Sequence, residues 1–288
     1  MGVLSSIVDR SISGSFSSEV FKIGDYAFNG CSSLTEVSFP NATSIGGSAF
    51  QSCSNLTSVS FLVATSIGSN AFNYCTSLTS VSIPVATSIG SSAFRSCSGL
   101  TEVSFPKATS IGSKAFNKCS GLTSVSFPVA TSIGYQSFYY CNSLTEVSFP
   151  EVTSIGSSAF DGCNSLTSVS FPEATSIGEI AFNKCSGLTE VSIPNATSIG
   201  NGAFQECSSL TEVSIPKATN IGEYAFYYCS NLTTIYVGTN TSTVCTLSSG
   251  AFDGCTNLTN IYVPASLVDN YKSATNWSSY ASKIKATP

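Results

Sequence analysis

The 288 residues include no histidine, one methionine and one tryptophan, and only 9% of them are charged. Without histidine, the chain has no side chain whose ordinary pKa falls near neutrality. The usual general base, proton shuttle and zinc ligand are therefore missing together. The 11 basic residues are scattered, the densest groups being Lys107, Lys114 and Lys118, and Lys272, Lys283 and Lys285. A nucleic acid partner demands a concentrated positive face, so none is expected. No apolar run approaches the ~18 to 20 residues that cross a bilayer, and membrane insertion is not expected. The opening residues, MGVLSSIVDRSISGSF, lack a basic n-region and a long apolar h-region. Low charge here does not mean disorder: 19 Phe, 12 Tyr and a mean hydropathy of +0.24 call for a buried core.

What the chain does have is one sentence repeated. The stretch TSIGSSAFRSCSGLTEVSFPKA, Thr87 to Ala108, recurs with small changes. Its Ile-Gly marker falls at Ile23, Ile45, Ile67, Ile89, Ile111, Ile133, Ile155, Ile177, Ile199 and Ile221, always 22 residues apart. An eleventh unit begins at Leu247, after a four-residue insertion within YVGTNTSTVCTLSS. Val37 and Phe39 alternate around Ser38, the rhythm of a strand with one buried face. Ile45, Ala49 and Phe50 have the spacing of a helical turn or two, and Pro40 suits an exit bend. A unit this short buries its apolar face only against copies of itself. The expected fold class is a repeat solenoid, a right-handed superhelix of about eleven 22-residue coils. Short parallel strands would line one face, with short helical or irregular turns between them.

Eleven of the 12 cysteines share one repeat position, from Cys31 to Cys255, and would stack into a ladder. One rung lies within disulfide reach. Yet each cysteine has two equivalent neighbours, the number is odd, and a free cysteine packs as a small hydrophobe. Free buried thiols are expected. Cys245 lies off the ladder, in the insertion, and is expected to be exposed. There is no C-x-x-C pair, so no metal site and no cofactor is expected.

The spacing of Leu34, Val37 and Phe39 matches the leucine-rich repeat pattern, with Ala42 where that pattern has Asn or Cys. The fuller signature I-G-x-x-A-F-x-x-C-x-x-L, over about residues 20 to 263, resembles the BspA-like leucine-rich repeat family. The tail YVPASLVDNYKSATNWSSYASKI is similar to the C-terminal segment of that family. The resemblance implies a bacterial cell-surface or secreted protein that binds host or microbial partners, with adhesion as its role. Arrays of this kind also resemble accessory recognition proteins carried by phages.

Strand alternation assigns the surfaces. With Val37 and Phe39 inward, the Glu36 and Ser38 positions face out. They form a floor of small side chains that includes Ser104, Ser126 and Ser148. Glu102, Glu146, Glu190 and Glu212 stud that floor, and it ends in Tyr236 and Tyr262. Such a floor either contacts a partner or is simply a soluble choice for exposed strands. Stacked like charges cost stability, which points to a cationic partner. The positions after Ala-Phe are the most varied and carry Tyr74, Lys118, Tyr139, Tyr140, Tyr227 and Tyr228. Tyrosine-bearing loops on a rigid frame suit recognition or cover the core edge.

Three regions are expected: an N-terminal cap (1–22), the solenoid (23–263) and a helical C-terminal cap (264–288). Val3, Leu4, Ile7 and Val8 have helical spacing. Leu267, Val268, Tyr271, Trp277, Tyr280 and Ile284 read as one or two amphipathic helices, with Trp277 plugging the last coil. No enzyme is expected, since the serines have no base to activate them and the carboxylates stand on an open surface. The chain reads as a monomeric binding module for a protein or glycan of host matrix or microbial surface. A passive stalk is the alternative.

Overall fold

The computed structural model describes residues 2–4 and 20–288. The chain divides into two compact units, residues 1–149 and 150–288, each a stack of parallel-stranded coils.

Each coil contributes two short strands. The Val-Ser-Phe alternation produces one, such as Glu36–Ser38, whose central Val37 is buried between exposed neighbours. The Ser-Ile pair produces the other, such as Ser44–Ile45. In the first unit the Ser-Ile strands pair in parallel from Ser44–Ile45 to Ser132–Ile133, Ser opposite Ser and Ile opposite Ile. The longer strands of this unit form two separate three-stranded sheets, with the break between Ser80–Ser82 and Glu102–Ser104. In the second unit the Ser-Ile ladder runs from Ser154–Ile155 to Thr246–Leu247. Its other sheet has six strands, from Ser168–Ser170 to Ile284–Ala286.

The expected helical turn is absent where Ile45, Ala49 and Phe50 suggested it. The Ser-Ile strand passes instead into consecutive turns. In residues 24–31, the amides of Ala27, Asn29 and Cys31 bond back to the carbonyls of Gly24, Tyr26 and Phe28. The alternate amides of Tyr26, Phe28 and Gly30 bond across to Gly47, Ala49 and Gln51 of the next coil. An α-helix needs unbroken right-handed residues and bonds four residues back. Here two residues per coil take positive φ, for example Lys114 at 59° and Lys118 at 61°. The half-helical apolar spacing is real, but the hydrogen bonds it serves run between coils.

Close stacking of that segment explains the glycine of the Ile-Gly pair. A Cβ on Gly112 would stand 2.6 Å from the Ile89 carbonyl oxygen, and one on Gly178 would be 2.6 Å from the Gly156 carbonyl carbon. Inside each stack the Ala-Phe rings lie face to face: Phe72–Phe94 at 5.2 Å and Phe94–Phe116 at 5.3 Å in the first unit. Phe160–Phe182 and Phe182–Phe204 do the same in the second, both at 5.2 Å. Threonine hydroxyls add a further ladder. The Thr57 amide and Oγ1 both donate to the Thr35 carbonyl, at 2.8 and 2.9 Å, and Thr79 repeats this on Thr57. The Ser/Thr-rich composition is thus partly structural, since these hydroxyls satisfy backbone carbonyls.

The N-terminal end differs from the expected helix, while the C-terminal end has the expected helical segments and ends in a strand. Gly2–Leu4 is a strand paired with Val20–Ile23, so Val3 and Leu4 are not helical. Ile7 and Val8 lie outside the described residues. After a 3-10 turn at Ala265–Leu267 come the α-helix Val268–Ser273 and the 3-10 helix Ser278–Lys283. Ile284 then leaves the helical run for the strand Ile284–Ala286, which pairs with Asn260–Val263 and covers what would be an open sheet edge. Trp277 is fully buried, its Nε1 donating to the Cys245 carbonyl at 2.7 Å. Cys245, expected to be exposed, is buried as well: its amide donates to the Tyr271 hydroxyl at 2.9 Å, beneath this C-terminal segment.

These constraints predict two opposite mutational effects. Ile180 is β-branched at φ 47°, a conformation costly for such a residue; Ile180→Asn should raise unfolding stability by about 1 kcal/mol. Gly112→Ala should lower it by about 1–3 kcal/mol, because the methyl meets backbone. Urea unfolding of both variants checks the pair, and a neutral Gly112→Ala would contradict the close approach.

Candidate functional site

The strand floor is where the structure brings most of the candidate residues together. In the first unit, Ser124 lies opposite both Glu102 and Glu146, and Ser126 opposite both Ser104 and Ser148. Their side chains point outward because Val103 and Val125, between them in the alternation, are buried. With strands ~4.8 Å apart, the two carboxylate positions stand about 10 Å from each other across the serine row. The floor borders the break in the sheet, and Val81 on the far side of that break is only partly buried. Here Val81, Glu102, Ser104, Ser126, Glu146 and Ser148 line a shallow groove of about 530 Å³.

In the second unit, Glu190, Ser192, Glu212 and Ser214 line a groove of about 610 Å³, with Pro194 and Pro216 beside them. Ser192 pairs with Ser214, which sets Glu190 next to Glu212. Farther along the same sheet Tyr236 lies opposite Tyr262, and their rings stack at 4.9 Å and 20°. Desolvation raises the Tyr236 phenol above its ordinary pKa, with the Glu212 carboxylate and Tyr262 adding to the effect.

The remaining candidates lie on the turn edge, away from the strand floor. Tyr139 and Tyr140 are in mutual contact at 4.5 Å. Tyr227 and Tyr228 are at 4.4 Å, with Tyr224 against Tyr227 at 5.3 Å. Tyr140 and Tyr228 occupy positive-φ positions and are exposed, whereas Tyr139 and Tyr227, one residue earlier, are half-buried. Val81 was not legible as a site residue, since its repeat position is a core position elsewhere. Arg95 and Tyr135 were also missed on this edge, although a non-repeating residue in so uniform a chain is itself a signal.

The cysteine ladder is not a site. All 12 cysteines are free and buried. The thiols of Cys53, Cys75, Cys97, Cys119 and Cys141 donate to the carbonyls of Phe28, Phe50, Phe72, Phe94 and Phe116, at 3.0–3.2 Å. Cys185, Cys207, Cys229 and Cys255 do the same in the second unit. Burial is the largest cause that pushes Cys53, Cys119, Cys245 and Cys255 up to about 12, so these sulfurs are protonated and not nucleophilic. Among the described residues no group of His, Cys, Asp or Glu is placed to hold a metal ion. What the floor can do is accept hydrogen bonds, donate them from serine hydroxyls and attract cations.

The sequence profile described as BspA type leucine rich repeat region (6 copies) matches residues 11–123, 65–189 and 175–285. No curated protein sequence matches the chain. Among solved structures, a leucine-rich repeat protein from Eubacterium ventriosum ATCC 27560 is 18% identical, with 88% of each chain covered and a TM-score of 0.50. A leucine rich cell surface protein from Faecalibacterium prausnitzii A2-165 is 24% identical over 99% of this chain and 94% of its own, with a TM-score of 0.48. The leucine-rich repeat protein of T. pallidum is 28% identical over 72% of this chain and 82% of its own, with a TM-score of 0.42.

The thiol ladder carries a pH prediction. Below about pH 9 the cysteines are protonated in both folded and unfolded chains. Above it, unfolded thiols ionise while Cys53, Cys119, Cys245 and Cys255 keep their protons until about 12. The unfolded state then binds fewer protons, so stability falls as pH rises from 9 toward 12. The urea midpoint should be lower at pH 10 than at pH 7.5, and an unchanged midpoint would contradict the burial.

Proposed function

The chain belongs to the BspA-type leucine-rich repeat family, and on that premise we propose that it is a non-enzymatic, adhesin-like binding module. Its partner is a protein or a glycan of a host matrix or a microbial surface, and its place is the bacterial cell surface or the secreted fraction. The working surface is the strand floor. Residues 23–263 supply the coils of that surface, and residues 264–288 close its C-terminal end.

The observation that carries this reading is the groove over Glu102, Ser104, Ser126, Glu146 and Ser148. Parallel register repeats the same hydroxyl at each rung, so an extended partner meets equivalent contacts along the sheet and gains by avidity. The carboxylates on either side favour a partner with cationic groups. Small side chains keep the floor open enough for close approach of a flat or extended surface. Chemistry on the partner is disfavoured: the chain has no histidine, and its carboxylates on this face are exposed to water.

Ser126→Arg tests the assignment, since it places a bulky cation at the centre of the groove without touching the core. Purified chain and variant are screened against matrix proteins and bacterial and mucosal glycans. The expected outcome is saturable binding by the native chain, weakened at least about tenfold in Ser126→Arg. Full affinity of the variant for every partner found would remove the floor from the interface, and absence of any binding would favour a passive spacer.

A further inference from the structure

We propose that the turn edge of the first unit is a binding site for an anionic glycan, formed by Arg95, Lys114 and Lys118 with Tyr74, Tyr135 and Tyr140. This deepens the binding-module reading for one tyrosine-bearing edge and is independent of the strand floor.

The six side chains come from four successive coils joined rung to rung. The Tyr74 amide bonds to the Arg95 carbonyl at 2.9 Å, and the Lys114 and Lys118 amides bond to the Tyr135 and Tyr139 carbonyls, both at 2.7 Å. Tyr74, Lys114, Lys118 and Tyr140 all take positive φ. Tyr74, Tyr135 and Tyr140 are 44%, 47% and 38% exposed, large values for rings on a folded surface. Arg95 lies over the Tyr74 ring, and Lys114 over the Tyr135 ring, each 5.6 Å from the centroid. A cation is thus held at each of two aromatic rings, within the range of a cation–π contact.

Charge distinguishes this stretch from its counterpart in the second unit. Residues 69–74, 91–96, 113–118 and 135–140 contain no carboxylate. The equivalent segments of the second unit carry Asp161, Glu179, Glu206, Glu223 and Asp253 against Lys184. Tyrosines occur on both edges, so it is the sign of charge that selects an anionic ligand for the first unit.

The backbone narrows the class of ligand. From Asn70 to Lys118 the amides of this edge are engaged alternately with the next coil and with carbonyls three residues back, so these coils leave no open strand edge for a peptide to extend. Recognition must use ring faces and side-chain cations. The negative face of an aromatic ring attracts the C–H face of a sugar ring, while the neighbouring cation meets a carboxylate or sulfate on the same residue. Three cations are too few for the counterion release that drives duplex binding. An acidic polypeptide would use the charges but leave the tyrosine faces unused.

The test draws its substitutions from residues that the chain itself uses at the same coil positions. Arg95→Gln copies Gln51, Lys114→Ser copies Ser92, Lys118→Ser copies Ser96, and Tyr135→Ser copies Ser113. Calorimetric titration uses a heparin oligosaccharide, polygalacturonate oligomers, neutral dextran and polyglutamate. The native chain should bind at least one of the two anionic glycans, bind dextran not at all, and bind polyglutamate more weakly. The triple cation variant should lose about tenfold or more in affinity. Tyr135→Ser should lose affinity with no change of charge. Equal binding of polyglutamate, full affinity in Tyr135→Ser or in the triple variant, or no binding of either anionic glycan would each overturn the proposal. A partner lost in Ser126→Arg would still stand in those cases, so failure here and failure of the floor are separable.

Discussion

Everything in this molecule depends on how closely one coil lies on the next. The Ile-Gly segment comes so near its neighbour that a single methyl group would meet backbone atoms at 2.6 Å. That approach lets alternate amides of the turn edge reach carbonyls of the adjacent coil at 2.7–2.9 Å in the stretch from Tyr26 to Tyr74. It also sets the Phe50–Phe72 and Phe72–Phe94 rings at 5.2 Å. A coil has few bonds of its own beyond its turns, so its conformation is defined by its copy. The near-identity of the repeats follows from this, because each apolar side chain, thiol and threonine hydroxyl must fit the same side chain one rung away.

Such a frame divides the chain into residues that cannot vary and residues that can. Thr57 and Cys53 look like ordinary polar surface or reactive chemistry in the sequence, yet both serve as donors to carbonyls of the preceding coil. The exposed strand positions and the positive-φ positions are free of that duty. They are where Glu102, Tyr140 and Lys118 depart from the common Ser. One face is thereby a row of hydroxyls with acidic points, and the turn edge carries rings and cations in the first unit. A rigid support with variable side chains at fixed intervals suits recognition.

Much of the fold was legible because the repeat is so regular. The 22-residue step, the inward Val37 and Phe39, the outward Glu36 and Ser38, and the buried thiols all follow from periodicity and cysteine count. The turn segment was not legible, since the spacing of Ile45, Ala49 and Phe50 fits both a helical turn and a run of β-turns. Only the direction of the hydrogen bonds decides between them. Cys245 misled because an insertion normally loops outward, whereas here Tyr271 and Trp277 hold its backbone inside. The floor residues were found by alternation. Val81 and the sheet break beside it were not, since pattern alone gives every coil the same pairing. Arg95 and Tyr135 stand out in the sequence only as single departures from the repeat, and gain meaning from the rings and cations that the stacking sets beside them.

The most direct test of this account is hydrogen exchange at the Ala-Phe amides, measured residue by residue. Phe72, Phe94 and Phe116 donate to Ala93, Ala115 and Ser137 of the following coils. If neighbouring coils hold the turn edge, these amides exchange only through global unfolding, as slowly as the buried strand amides. Exchange at Phe94 through local opening, well ahead of Val103 and Val125, would show that the turns hold themselves and that the coils are not locked by their copies.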